Sequence, residues 1–93
     1  MENTKESKNK LFVASLSFKA NDNDLLEIFS SIGGVVSAKV IFDRDGKSRG
    51  YGFVEMKTEE EADDAITKLN GSYHLGRAIV VNKQKPKENN NYN

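Results

Sequence analysis

Apolar residues fall along this chain in two rhythms, one of period two and one of period three to four. From Lys10 to Ala14 the β-forming residues Leu11, Phe12 and Val13 predict a first strand. Asn21-Asp22-Asn23-Asp24 then offers capping side chains and negative charge. Leu25, Ile28, Phe29 and Ile32 follow at i, i+3, i+4 and i+7, the stripe of an amphipathic helix, which Gly33-Gly34 is expected to end. Val35 to Phe42 is β-branched and alternating, Asp43-Arg44-Asp45-Gly46-Lys47-Ser48 carries an Asp-Gly turn signal, and Tyr51 to Met56 completes a hairpin. Thr58 caps a second helix, with Glu61 expected to complete a capping box and Ala62, Ala65, Ile66 and Leu69 forming the buried stripe. Asn70-Gly71 closes that helix, and Arg77 to Lys83 reads as a fourth strand. The polar segments 1–9 and 85–93 lack periodicity and are expected to be a disordered arm and tail around one domain at 10–84.

The element order is β-α-β-β-α-β. Two right-handed crossovers place both helices on one face of a four-stranded antiparallel sheet, an α+β sandwich of ferredoxin-like type. The opposite face is left without a cover.

Side-chain alternation says what that face carries. Gly52, Val54 and Met56 point toward the helices, so Tyr51, Phe53 and Glu55 point away. Leu11 and Val13 likewise face the core, which turns Lys10, Phe12 and Ala14 outward. The same parity puts Ser37, Lys39 and Ile41 of the second strand on the open face. On the fourth strand Ile79 and Val81 are inward and Val80, Asn82 and Gln84 outward. Three aromatic rings on adjacent strands, uncovered, mark a binding surface. Every nucleobase has a flat π-face, and stacking on such a ring is worth roughly 1–3 kcal/mol per base. Lys39 and Arg49 are placed to reach phosphates, and Asn82 and Gln84 present both donors and acceptors to base edges. Arg44 and Lys47, in the hairpin loop, are either further phosphate contacts or ordinary solvated charges.

Arg49-Gly50-Tyr51-Gly52-Phe53-Val54-Glu55-Met56 resembles the octapeptide ribonucleoprotein motif, and Leu11-Phe12-Val13-Ala14-Ser15-Leu16 upstream resembles its hexapeptide partner. With the Leu25/Phe29/Gly33 pattern and the segment from Leu69-Asn70-Gly71 to Gly76-Arg77, the chain is similar to the RNA-recognition-motif family over roughly residues 10–85, and to its small bacterial single-domain members in length. The resemblance implies that successive bases stack on Phe12 and Tyr51, that Phe53 packs against the sugars between them, and that Arg49 pairs with phosphate. Two residues depart from the family pattern. Met56 replaces a usual Phe or Tyr at a core-facing position, and Ser15 stands where Asn or Gly is common, which affects the turn after the first strand.

Composition narrows the alternatives. The 93 residues contain no cysteine and one histidine, His74, expected on the surface before the fourth strand. Disulfides and thiolate chemistry are excluded, and a zinc site or histidine triad has no material to be built from. No nucleophile, base and orienting group cluster, so the chain is expected to be no enzyme and to need no cofactor or metal. Apolar runs such as Ala78-Ile79-Val80-Val81 are too short to span a membrane, and the N-terminus is polar, so a soluble, cytoplasmic protein is expected. Gly50 and Gly52 lack the strand-to-helix context and the Lys-Ser/Thr ending of a nucleotide loop; they are read as sites of close approach between backbone and ligand.

Net charge is zero, but its distribution is uneven. Eight of the 14 acids and one of the 14 bases, Lys68, lie in residues 22–29 and 59–70, so the rest of the chain carries seven more bases than acids. Acids on the helices and bases elsewhere would steer a polyanion to the open sheet. The expected ligand is single-stranded RNA, with single-stranded DNA as a substitute in vitro, bound by a monomer with no small-molecule substrate. A protein-interaction module using the acidic helix faces is the competing reading. Stacking accepts every base, so the residues do not by themselves specify an RNA sequence.

Overall fold

Strand β1 (Lys10–Ala14) lies inside the sheet, paired antiparallel on one side with β3 (Ser48–Met56) and on the other with β6 (Val80–Lys83); β2 (Val35–Phe42) pairs with β3, giving the order β2-β3-β1-β6. The computed structural model describes residues 8–84. Apart from Lys8 and Asn9, the arm and tail expected at 1–9 and 85–93 lie outside the described residues. Helices α1 (Asp22–Ser30) and α2 (Glu59–Leu69) connect the strands as the alternation requires. Leu25 and Phe29 of α1 and Ala62, Ala65 and Leu69 of α2 join Leu11, Val13, Val40, Val54, Met56 and Val81 of the sheet, and Ile79 just before β6, in one buried cluster. Met56 is fully buried, so its departure from the family pattern concerns packing.

Both helix starts follow from their capping residues, though not in the same way. Asn21 Oδ1 accepts from Asp24 N at 2.9 Å while Asp24 Oδ2 accepts from Asn21 N at 3.0 Å, a complete capping box. Asp22 Oδ1 accepts from Val40 N at 2.7 Å and ties α1 to β2. At α2, Thr58 Oγ1 accepts from Glu61 N at 3.1 Å, but the expected reciprocal bond does not form: Glu61 Oε1 instead accepts from Gly34 N at 3.2 Å. That carboxylate is drawn into holding the α1–β2 connection against α2. Gly33-Gly34 does not end α1 either. The helix stops at Ser30 with Ser31 as its C-cap, and the Ser31 hydroxyl donates to the Ile28 carbonyl at 2.8 Å. The glycine pair makes space: a Cβ on Gly33 would sit 2.8 Å from Glu61 Cδ, and one on Gly34 would sit 2.7 Å from Lys57 Cδ.

The fourth strand is shorter than Arg77–Lys83. Arg77–Ala78 (β5) pairs with Tyr73–His74 (β4) in a two-residue hairpin whose turn, Leu75-Gly76, has φ of 53 and 87. Two successive positive φ values give the turn handedness that matches strand twist, so the segment closes on itself before Val80 enters the main sheet. His74 therefore sits in a strand, where Ser72 Oγ, which donates to the Leu69 carbonyl, lies 2.8 Å from its Nε2. At the other end of the domain β3 begins at Ser48 instead of Tyr51, because Ser48 still pairs with Phe42 beyond a register slip.

Candidate nucleic-acid interface

The open face is a lattice of three cross-strand rows. Val80, Ala14 and Tyr51 form the first. Asn82, Phe12, Phe53 and Lys39 form the second, running across all four strands. Lys10, Glu55 and Ser37 form the third, extended by Gln84, whose N–H donates to the Lys10 carbonyl at 2.9 Å. The rows arise because each strand keeps strict alternation through this region, with Leu11, Val13, Val40, Gly52, Val54 and Val81 buried on the far side.

The three rings form one patch. Phe12 lies 5.7 Å from Tyr51 and 5.6 Å from Phe53, tilted at 45° and 50°, and Tyr51 meets Phe53 edge-on at 6.2 Å and 85°. Each is half-buried by the others while keeping a surface toward solvent. Tilted packing of this kind satisfies the ring quadrupoles and holds the rings in place before any ligand arrives. Beside them a groove of about 660 Å³ is lined by Phe12, Phe53, Asn82, Lys83 and Gln84, and a smaller one of about 250 Å³ reaches from Phe53 and Gln84 to Lys39 on β2.

The residues singled out from the sequence separate into two groups. Phe12, Tyr51, Phe53, Lys10, Lys39, Val80, Asn82 and Gln84 come together on the lattice. Ile41 sits half-buried at the register slip between Val40 and Phe42, at the margin of the face. Arg49 is exposed at the end of the sheet, separated from Tyr51 by Gly50, whose φ of 80 interrupts the alternation. Lys47 is exposed in the β2–β3 turn, where its N–H is held by Asp43 Oδ1 at 3.0 Å. Two residues received no role in the sequence reading. Glu55 was placed on the face without a function, and Phe18, in the β1–α1 loop, is 73% exposed with its ring edge against Gly50. The available signal for Phe18 was an aromatic between Ser17 and Lys19 in a loop whose other apolar residues, Leu16 and Ala20, are buried.

Two readings need correction. Gly52 does permit a close approach, but to protein: a Cβ there would collide with the Lys39 carbonyl and meet Val40 Cα at 3.1 Å and Leu25 Cδ2 at 3.2 Å. The basic excess is also not wholly on the open side. Lys83 faces the helices, with Nζ 3.0 Å from Asp63 and 3.6 Å from Glu59. The hydrogen bond to Asp63 holds the Lys83 ammonium above the ordinary lysine value of 10.5, against a smaller opposing effect of burial. Ser15 takes φ of 60 in the turn after β1, a left-handed conformation that Asn or Gly would adopt with less strain.

Comparison with known proteins agrees with this geometry. A 77-residue stretch is 48% identical to the 29 kDa chloroplastic ribonucleoprotein B of Nicotiana sylvestris, covering 82% of this chain and 26% of that protein, so the chain spans about a quarter of that relative's length. It is 39% identical over 79 residues to the putative RNA-binding protein RbpE of Nostoc sp., covering 84% of this chain and 80% of that one. Its fold is similar to that in a solved SXL-lethal protein–RNA complex, with a TM-score of 0.82 and 28% identity over 86% of this chain and 48% of that chain. With the family model for the RNA recognition motif matching residues 11–80, and both motif strands lying side by side at the centre of the sheet, the chain belongs to the RNA recognition motif family.

Proposed function

We propose that this chain binds single-stranded RNA across the open sheet, with bases stacked on Phe12 and Tyr51, Phe53 against the sugars, and Lys10, Lys39, Arg49 and Lys47 near the phosphates. Ile41, Val80, Asn82 and Gln84 line the margins, where side chains meet base edges. The observation that carries this reading is the patch of three mutually packed rings on the helix-free face. Rings held in that way lose little freedom on binding, so most of the stacking energy is retained in the complex. A similar protein solved as an RNA complex and relatives named for RNA binding support the same choice of ligand.

In this reading the chain works as a monomeric, cytoplasmic binding module with no catalytic step, and single-stranded DNA occupies the same rings without the contacts of a 2′-hydroxyl. No described helix is long and apolar enough to cross a membrane. Fluorescence anisotropy with a short labelled RNA tests the proposal. Wild type should bind in the micromolar range, as a lone sheet contacting a few nucleotides would. The double variant Phe12→Ala/Tyr51→Ala should fold and lose binding. Undiminished binding by that folded variant would overturn the stacking reading, and a wild type that ignores RNA would favour a protein partner for the fold.

A further inference from the structure

Glu55 is an anion on the surface proposed to seat a polyanion. It stands directly opposite Lys10 on β1 and Ser37 on β2, in the third row of the open face. Its carboxylate lines the groove of about 250 Å³ together with Lys10, Ser37, Lys39, Phe53 and Gln84. Among the described residues, Asn9 Nδ2 donates to its Oε2 at a long 3.4 Å, and the better bond of that amide, 2.8 Å, goes to the Met56 carbonyl. Glu55 is half-buried and its carboxylate weakly occupied, in a groove that Phe53 also lines.

A carboxylate in such a place repels phosphate but accepts from base edges, and it can only accept. Its two oxygens lie side by side, so its best complement is a pair of adjacent donors. Among the four RNA bases only guanine offers that on its Watson–Crick edge, as N1–H next to the N2 amino group. Adenine and cytosine present one amino group beside a ring nitrogen acceptor, which would face the second oxygen. Uracil presents one N–H between two carbonyls. We propose that Glu55 makes the groove beside Phe53 a guanine-selective subsite, its carboxylate receiving N1–H and N2–H while Ser37 and Gln84 supply donors for O6. This rests on the RNA-binding reading and adds to it the base that the sheet prefers. Lys10 and Lys39, flanking the carboxylate, keep the phosphates on either side of the base attracted.

The test uses uridine heptamers carrying a single central guanine, inosine, adenine, cytosine or uridine, titrated against wild type and Glu55→Gln. Wild type should prefer guanine over uridine by about tenfold or more, the discrimination typical of a bidentate base contact. Inosine, which lacks the N2 amino group, should bind several-fold more weakly than guanine. Glu55→Gln should bind the uridine heptamer at least as well as wild type, because an anion has been removed, and should lose the distinction between guanine and inosine. Circular dichroism confirms that the variant is folded. Equal binding of all five RNAs by wild type would overturn the guanine subsite while leaving RNA binding intact. A uniform loss across all five RNAs in Glu55→Gln would overturn it too, by showing that Glu55 supports the face through Asn9. No binding of any RNA by wild type would overturn the underlying reading and this one with it.

Discussion

Phe12 and Phe53 face each other across the β1–β3 pairing, with ring centroids 5.6 Å apart and planes inclined at 50°. Each belongs to one of the two motif strands, and the same row continues to Asn82 on one side and Lys39 on the other. The groups proposed to stack on bases, read base edges and meet phosphate thus share one line across the sheet, because alternating parity on four antiparallel strands leaves them no other side to occupy.

Removing one ring should weaken binding without unfolding the domain. Tyr51→Ala is expected to cost roughly 1–3 kcal/mol of RNA affinity. Anisotropy titrations beside a thermal melt check this; the melt should move little, since Tyr51 lies outside the buried cluster.

Salt dependence should report the uneven distribution of charge. Neutralising a few phosphates on a single strand gives a slope of about −0.7 per phosphate in log K against log salt, so roughly −1 to −3 is expected here. Lys39→Ala and Arg49→Ala should each make the slope shallower by somewhat less than one unit. Lys68→Ala, which removes a partner of Asp64 on α2 at 3.3 Å, should leave it unchanged. Equal changes in all three would mean that the bases act through general attraction and not from the face.

Phe29→Ala should cost roughly 3–5 kcal/mol of stability through the cavity it leaves, because the ring is fully buried. In a domain this small that is a large share of the total, and chemical denaturation should show a much lower midpoint than wild type.

Gly52→Ala tests whether the close approach at β3 is structural. The added methyl would strike the Lys39 carbonyl and crowd Leu25. A loss of about 1–3 kcal/mol in stability is expected from the forced shift of β2 against β3. RNA affinity should fall with it, since Lys39 and Phe53 are direct partners in that pairing.

Lys83 gives a pH dependence. Its folded-state value is raised, so its pairing with Asp63 stabilises the fold fully below the ordinary lysine value of 10.5 and is lost as pH climbs through the raised value. The side chain is about a third exposed, and solvent screening keeps the contribution to roughly 0.2–1 kcal/mol. Lys83→Met should therefore melt slightly below wild type at neutral pH, and the gap should close above pH 10.5.

The sequence alone determined the order of the elements, the buried face of each and the identity of the three rings. All of these depend on local periodicity and parity, which are written residue by residue: Leu25 and Phe29 mark one helix face, and Phe12, Tyr51 and Phe53 share one sheet face. Tertiary structure decided what depends on a distant partner. Glu61 left its expected capping role because Gly34, far away in sequence, offered an N–H within reach. Lys83 turned from a presumed member of the basic surplus into a partner of α2 because β6 lies alongside that helix. Arg77–Ala78 left the fourth strand because Tyr73–His74 lay close enough to pair. Glu55 gained meaning only when cross-strand register set it between Lys10 and Ser37. Periodicity fixes which way a side chain points; what it meets there is fixed by the pairing of strands and the docking of helices, where contacts between residues remote in sequence outweigh the local pattern.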